Sequence, residues 1–521
     1  MTGPDSRPLP RAQPASRRGI EVKRVIAGLG TIAGSAGIGA VALVGLAAGE
    51  SALAGTLRIT PSLAVSGSVS DNVDQAPDGQ EDAAFLSDVT PGVDVRWQSA
   101  RITAALDAQA TVRHQTGGDD KGFRLLPEVS GFATGEISQE LLFVDVAASI
   151  SREIIDTRNN SAESNRDTVQ NYRVSPYLVG HLGDFADTEL RYSLSQVISG
   201  SDRNDTPSSG ISDNNDSLSD STTHEVSLEV TGGTSFARLG WSLSASASES
   251  DRSDANDVSR RDVALEIEYA LMRSFSLIGS AGFQHFDDGN PANDIDSPTW
   301  EGGFRWRPGP RTDLRATYGK RDDEQSLDAT LSYRFSPLTR LTASYSERIE
   351  TGQEQLLSDL QFIVTDPNTG QLIDSRTGLP FDPNTSATSL QDETQRVKTF
   401  RLALTGTRGR NTFQIEGSVE MSDELGNDLV AREENAYRIE GNWQRKLNPR
   451  TELGLNTSFE RSTFDPEDRT DTQYELGGSL NYAVYTNIST FAAYTFTRQT
   501  SDVDSQEFTE NLITVGLRMT F

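Results

Sequence analysis

From residue 57 onward, apolar and polar side chains alternate with a period of two. Leu327, Ala329, Leu331, Tyr333 and Phe335 alternate with Asp328, Thr330, Ser332 and Arg334. Val263, Leu265, Ile267, Tyr269 and Leu271 repeat the pattern earlier in the chain, and Phe413, Ile415, Gly417 and Val419 repeat it later. Toward the C-terminus it recurs in Leu453, Leu455, Thr457 and Phe459, and in Tyr474, Leu476, Gly478, Leu480 and Tyr482. Successive side chains of a strand point to opposite faces, so each segment predicts a strand with one apolar and one polar face. The segments run to about 10–14 residues, roughly twice the 5–6 of an average soluble strand. That length meets the 9–11 residues a tilted strand needs to cross a bilayer.

The connections also alternate. Short turns such as "HLGDF" 181–185, "RPGPR" 307–311, "SPLTR" 336–340, "TRGRN" 407–411 and "LNPR" 447–450 take turns with longer polar loops. The loops fall at 152–168, 198–221, 250–258, 286–297, 351–394, 422–434, 462–471 and 499–507, and are rich in Asp, Asn, Ser and Gly. In hydrocarbon every backbone donor and acceptor must be paired within the protein, so a sheet crosses only as a closed barrel. The expected fold is therefore all-β: a transmembrane antiparallel β-barrel of about 22 strands, with short periplasmic turns and long acidic extracellular loops. An even strand count puts both barrel ends on the periplasmic side. Aromatics near segment ends, among them Trp97, Phe143, Tyr177, Phe236, Phe275, Trp306, Phe335, Trp443, Tyr485 and Phe521, read as interfacial girdles.

Composition sharpens this picture in three ways. Only 35% of the 521 residues are hydrophobic and the mean hydropathy is −0.48, values that suit disorder. The regular alternation instead assigns the polar half to a wet lumen. The net charge of −29 repels phosphate backbones, so no nucleic-acid partner is expected. The absence of cysteine excludes disulfides and thiolate metal sites. Residues 1–54 read as a signal peptide. Arg17, Arg18, Lys23 and Arg24 precede an uncharged stretch at 25–48, and "ALA" at 52–54 fits a cleavage site. The mature chain, 55–521, is then one barrel in the bacterial outer membrane.

The candidate functional surface is the inward face. Arg315, Asp328, Arg334, Arg401, Glu416, Arg438, Glu440, Glu452, Glu475 and Arg518 are expected to line a wet or salt-bridged lumen. Barrels of this size are usually plugged, yet the strand pattern begins at 57–70 and leaves no room for a preceding plug domain. The sizeable insertion is 351–394, with turn sequences "DPNTG" at 366–370 and "DPNT" at 382–385 after the apolar run Leu360–Val364. An external hairpin and a hairpin folded into the lumen both fit it. The four histidines, His114, His181, His224 and His285, lack metal-ligand spacing. The mature chain also lacks a nucleophile elbow and phosphate or dinucleotide signatures. No enzyme activity, metal or cofactor is expected.

Residues 61–107, "PSLAVSGSVSDNVDQAPDGQEDAAFLSDVTPGVDVRWQSARITAALD", resemble the opening of the PEP-CTERM system-associated outer-membrane β-barrel family. That family begins with a strand ending in a "DN" turn, a "PDGQE"-like loop and a "PG" second strand. Residues 172–197, 236–244, 308–321 and 331–347 extend the resemblance. It implies an outer-membrane barrel associated with exopolysaccharide loci, and so a channel or export component with exopolysaccharide and its export proteins as partners. It brings no catalytic residues. A general diffusion porin and an occluded structural or surface-attachment barrel are the alternatives. Outer-membrane lipid and lipopolysaccharide are expected partners of any such barrel.

The chain closes on "LITVGLRMTF", 512–521, in which Leu517, Met519 and Phe521 share the apolar face. The segment reads as the strand that pairs with the first, and a terminal Phe resembles the signal read by the barrel assembly machinery. Phe521→Asp, or a polar tail added after Phe521, should sharply lower the yield of heat-modifiable barrel in membranes. A normal yield from either variant would count against that role.

Overall fold

The computed structural model describes residues 55–521 except 155, 160, 161, 163, 164, 201–217, 234, 237, 367, 368, 383–386 and 427–431. The expected signal peptide and most of the 198–221 loop lie outside the described residues. Twenty-two strands form a single antiparallel sheet. The first, β1 (Gly55–Ser70), pairs with β2 (Ala84–Ser99) on one side and with the last, β24 (Phe508–Thr520), on the other. The seam runs from Ser62↔Thr520 to Ser70↔Leu512, and the Phe521 N–H donates to the Pro61 carbonyl at 2.9 Å. The sheet is thus a closed barrel with no free edge.

One rim carries short hairpin connections, such as Arg273–Ser274, Pro310–Arg311 and Gly409–Arg410, together with both ends of the barrel. The other carries the long polar loops. Two connections at that rim depart from the pattern: 466–468 alone join Asp465 to Arg469, and Asp322 and Asp323 alone turn the chain from Arg321 to Glu324, both with positive φ (52° and 58°). Two successive positive φ values suit the twist of a tight hairpin. Strands run from 10 to 17 residues, longer than the alternation alone implies. They carry the sheet into segments that composition assigns to loops, as at Asp465 and Arg469.

Alternation translates into two faces. Val263, Leu265, Ile267, Tyr269 and Leu271 are all exposed on the outer surface, as are Ile513, Val515 and Leu517. Trp300 and Trp306, exposed on one strand, are separated by about 20 Å at about 3.4 Å per residue. That spacing suits aromatic girdles flanking an apolar band of about 25 Å.

Two of the expected girdle aromatics belong to the other face. Phe143 and Tyr177 share the inward parity of Asp145 and Ser175, and their rings stack at 5.3 Å. The Arg191 guanidinium lies 3.9 Å from the Tyr177 ring centre and pairs with Asp145 at 2.8 Å. Position near a strand end does not decide the face; parity with the neighbouring polar residues does.

Candidate functional site: an insertion across the lumen

Residues 351–394 join two adjacent strands, β15 (Thr339–Glu350) and β18 (Gln395–Arg408), whose ends pair at Glu350↔Gln395. The barrel is continuous without them. Their first element is a helix, α1 (Gly352–Gln361), where a hairpin is the expectation from sequence. Thr351 caps it: the Thr351 hydroxyl accepts the Glu354 N–H at 3.3 Å, and the Glu354 carboxylate accepts the Thr351 N–H at 3.1 Å. This reciprocal box satisfies two of the donors that a helix start leaves open. The T-x-x-E spacing at 351–354 is the sequence signal for it. A hairpin follows, with β16 (Ile363–Thr365) and β17 (Leu372–Asp374) joined through "DPNTG". Gly370, at φ +73°, closes that turn by donating to the Asp366 carbonyl at 2.7 Å.

The apolar contacts of the insertion lie on the inner wall, on the far side of the ring from β15 and β18. Leu356, Leu357, Leu360, Ile363, Leu372 and Leu390 form one buried cluster with Ala105, Ala147, Val169 and Val197. Those four wall residues sit on the inward faces of β3 (Ile102–Gln115), β5 (Leu142–Ile154), β6 (Arg166–Leu182) and β7 (Ala186–Ser199). Phe132 and Phe381 pack against the same cluster. Each buried Leu or Ile contributes about 1.5–3 kcal/mol, so this dry patch is the main anchor.

Polar anchors hold the remaining sides. Asp392 accepts the Ser219 N–H at 2.9 Å and the Ser219 hydroxyl at 2.5 Å. The Thr394 hydroxyl donates to Asp288 at 2.5 Å. On β19 (Asn411–Glu424), Glu420 accepts from Thr388 at 2.6 Å and from Gln355 at 3.2 Å. On β20 (Glu433–Asn448), Glu434 accepts the Ser389 N–H at 3.0 Å.

Inside the insertion, Arg376 pairs with Asp374 at 2.6 Å and Asp359 at 2.8 Å, with its guanidinium 4.4 Å from the Phe362 ring centre. Burial works against the Arg376 charge. Its hydrogen bonds to Asp374 and the negative charges of Asp359 and Asp374 outweigh that and raise its pKa above the ordinary arginine value. This clamp ties the end of α1 to the hairpin.

Cavities open along the charged inner walls, two of them beside the insertion. One of about 410 Å³ lies between α1, Arg376 and the wall that includes Arg315, Asp328 and Arg401. Another of about 490 Å³ lies between residues 374–382 and the wall carrying Arg401, Glu416 and Glu440. A third of about 440 Å³ is bordered by Arg438, Glu440 and Glu475 under Thr157 and Asn159. Ion pairs brace these walls, including Arg315–Glu266 at 2.6 Å and Arg438–Glu460 at 2.8 Å.

Arg334, Glu452 and Arg518 share the inward parity but sit nearer the short-turn rim, outside these three cavities. Leu517 and Phe521 are exposed on the outer face, and Met519 is half-buried there. Arg340, Arg348, Glu420 and Glu434 are luminal residues that sequence reading does not single out.

A closed barrel with a polar lumen and a lipid-facing band agrees with the family comparison. The family model described as Gram-negative porin matches residues 39–352. The chain belongs to the Gram-negative porin family. A second model, "Putative beta-barrel porin 2", matches residues 435–521 of this porin. It is an outer-membrane protein, and no curated protein matches it in sequence.

Among solved structures, the siderophore receptor PirA from Pseudomonas aeruginosa is 11% identical with a TM-score of 0.43, over 89% of this chain and 80% of that one. PirA from Acinetobacter baumannii is 9% identical with a TM-score of 0.47, over 88% and 80%. The ferric-catecholate import receptor Fiu from E. coli K12 is 10% identical with a TM-score of 0.45, over 88% and 81%. These likenesses carry no functional weight.

Leu360→Ala should remove about 2–5 kcal/mol from the anchoring of the insertion while leaving the barrel closed. Limited proteolysis of the purified porin should then cut within 366–390 faster at unchanged heat-modifiability. Equal protease resistance would show that the leucine cluster is not what holds it.

Proposed function

We propose that this porin is a constricted outer-membrane channel for small polar solutes, with residues 351–394 setting its bore. The observation that carries the reading is the course of the insertion. It spans the lumen from the outer rim to the far wall and is flanked by cavities of about 410 and 490 Å³ along charged walls. Spaces of that size admit small hydrophilic molecules along the sides of the insertion rather than a folded cargo through the centre. The role is transport rather than catalysis. The apolar outer face meets outer-membrane lipid and lipopolysaccharide, and Phe521 serves the assembly machinery.

A finer reading makes the channel a component of exopolysaccharide export. Its support is the resemblance of residues 61–107 to a family associated with loci of that kind. Deleting the gene and finding surface polysaccharide unchanged would discard it without touching the channel itself.

The channel reading is tested by conductance in planar bilayers. The native protein should give small unitary steps. A variant in which a short Gly-Ser link replaces 352–390 should give steps several-fold larger, because β15 and β18 are already neighbours and the ring stays intact. Equal conductance in the two proteins would sink the assignment of the bore to the insertion. Silence in both would favour an occluded structural barrel.

A further inference from the structure

Six arginines border the cavity of about 410 Å³: Arg305, Arg315, Arg340, Arg348, Arg376 and Arg401. Four of them have a carboxylate partner. Arg305 pairs with Asp313 at 2.5 Å, Arg315 with Glu266 at 2.6 Å, Arg376 with Asp359 at 2.8 Å and Arg401 with Glu420 at 4.0 Å. Among the described residues, Arg340 and Arg348 have none within that reach.

Arg340 is the more unusual of the two. Its Nε is sealed from solvent and has no hydrogen-bond partner. Its cross-strand neighbour on β14 (Glu324–Ser336) is Arg334, directly opposite and likewise without an ion pair among the described residues. Like charges placed directly opposite on a strand pair repel. A buried donor left open is also the exception in folded proteins. Both costs fall on one spot. The other carboxylates of the cavity, Asp328 and Glu350, lie nearer the outer rim, Glu350 at the last position of β15.

The insertion leaves this spot open. Gly378, at φ +76°, turns the hairpin above Arg340, and a Cβ there would meet only the Arg340 Nη1, at 3.9 Å. At Gly378 the insertion presents backbone without a side chain to Arg340. Guanidinium groups present a planar fork of donors that fits the two oxygens of a carboxylate or phosphate.

We propose that the Arg334–Arg340 pair forms the floor of a binding site for a small oxyanion solute carrying a carboxylate or a phosphate. The anion neutralises the opposed charges and accepts hydrogen bonds from the Arg340 guanidinium. The site depends on the channel reading only for the route by which the solute arrives.

Calorimetric titration of the full-length chain in detergent tests the site without conductance. Inorganic phosphate and succinate are the probes, against chloride at equal ionic strength. At least one oxyanion should bind saturably and more tightly than chloride, and the stronger of the two identifies the head group. Arg340→Gln should weaken it by about tenfold or more, while Arg340→Lys retains part of the affinity. Arg445→Gln, an exposed arginine outside the cavities, should change nothing.

Heat-modifiability shows that each variant is folded. The proposal fails if neither oxyanion outcompetes chloride, if folded Arg340→Gln binds as tightly as the native protein, or if Arg445→Gln loses as much. Oxyanion binding without conductance would leave the site standing and remove the channel. Conductance without oxyanion binding would do the reverse.

Discussion

Everything in this molecule depends on one requirement: a backbone inside hydrocarbon cannot leave a hydrogen-bonding group unpaired. The pairing of β1 with β24 meets it by joining Ser62–Ser70 to Leu512–Thr520. Once the ring is closed, the two faces of each strand are assigned different solvents. Apolar positions meet lipid, and the inner positions, which would make a poor soluble core, meet water, ion partners or the insertion. The low overall hydrophobicity of the chain follows from this geometry. Only one face of a thin wall has to be apolar, and there is no conventional core to fill.

The lumen is consequently a second folding problem, solved locally. The wall formed by β3 and β5–β7 gives up its polarity at Ala105, Ala147, Val169 and Val197, and against that patch the leucines of α1 and the hairpin are buried. The remaining walls keep their charges and hold the insertion by hydrogen bonds to Asp288, Glu420 and Glu434. The lumen is therefore dry and cohesive at that patch and wet elsewhere, with cavities along its charged walls. Any passage for solute belongs to the wet side, where side chains are braced by ion pairs rather than packed.

Much of this is legible in the sequence, for a physical reason. A helix repeats every 3.6 residues and a loop has no repeat, so a period of two sustained over ten or more residues belongs to strands. Leu327 to Phe335 and Tyr474 to Tyr482 therefore announce both the strands and their lipid-facing positions. Turn chemistry marks the connections, as with Gly183 (φ +59°) in "HLGDF" and Gly409 (φ +64°) in "TRGRN". Phe143 and Tyr177 depart from expectation because nearness to a strand end is a weaker cue than parity with Asp145 and Ser175. The helix α1 escapes a reading of the sequence although Thr351 and Glu354 stand at capping-box spacing. A ten-residue helix within a strand-dominated chain offers fewer than three turns of signal. The destination of the insertion is not legible at all. It depends on four wall residues about 160–285 positions earlier, and nothing within 351–394 names them.

The attachment of the insertion has a mechanical consequence. Both of its ends join the barrel at the same rim, beside Glu350 and Gln395, and the rest reaches inward from there. It is a stopper on a tether fixed at the rim of the long loops. Losing the seat on the far wall would free its inner end while both strand ends stay joined at Glu350 and Gln395, so the stopper could leave the lumen without leaving the molecule.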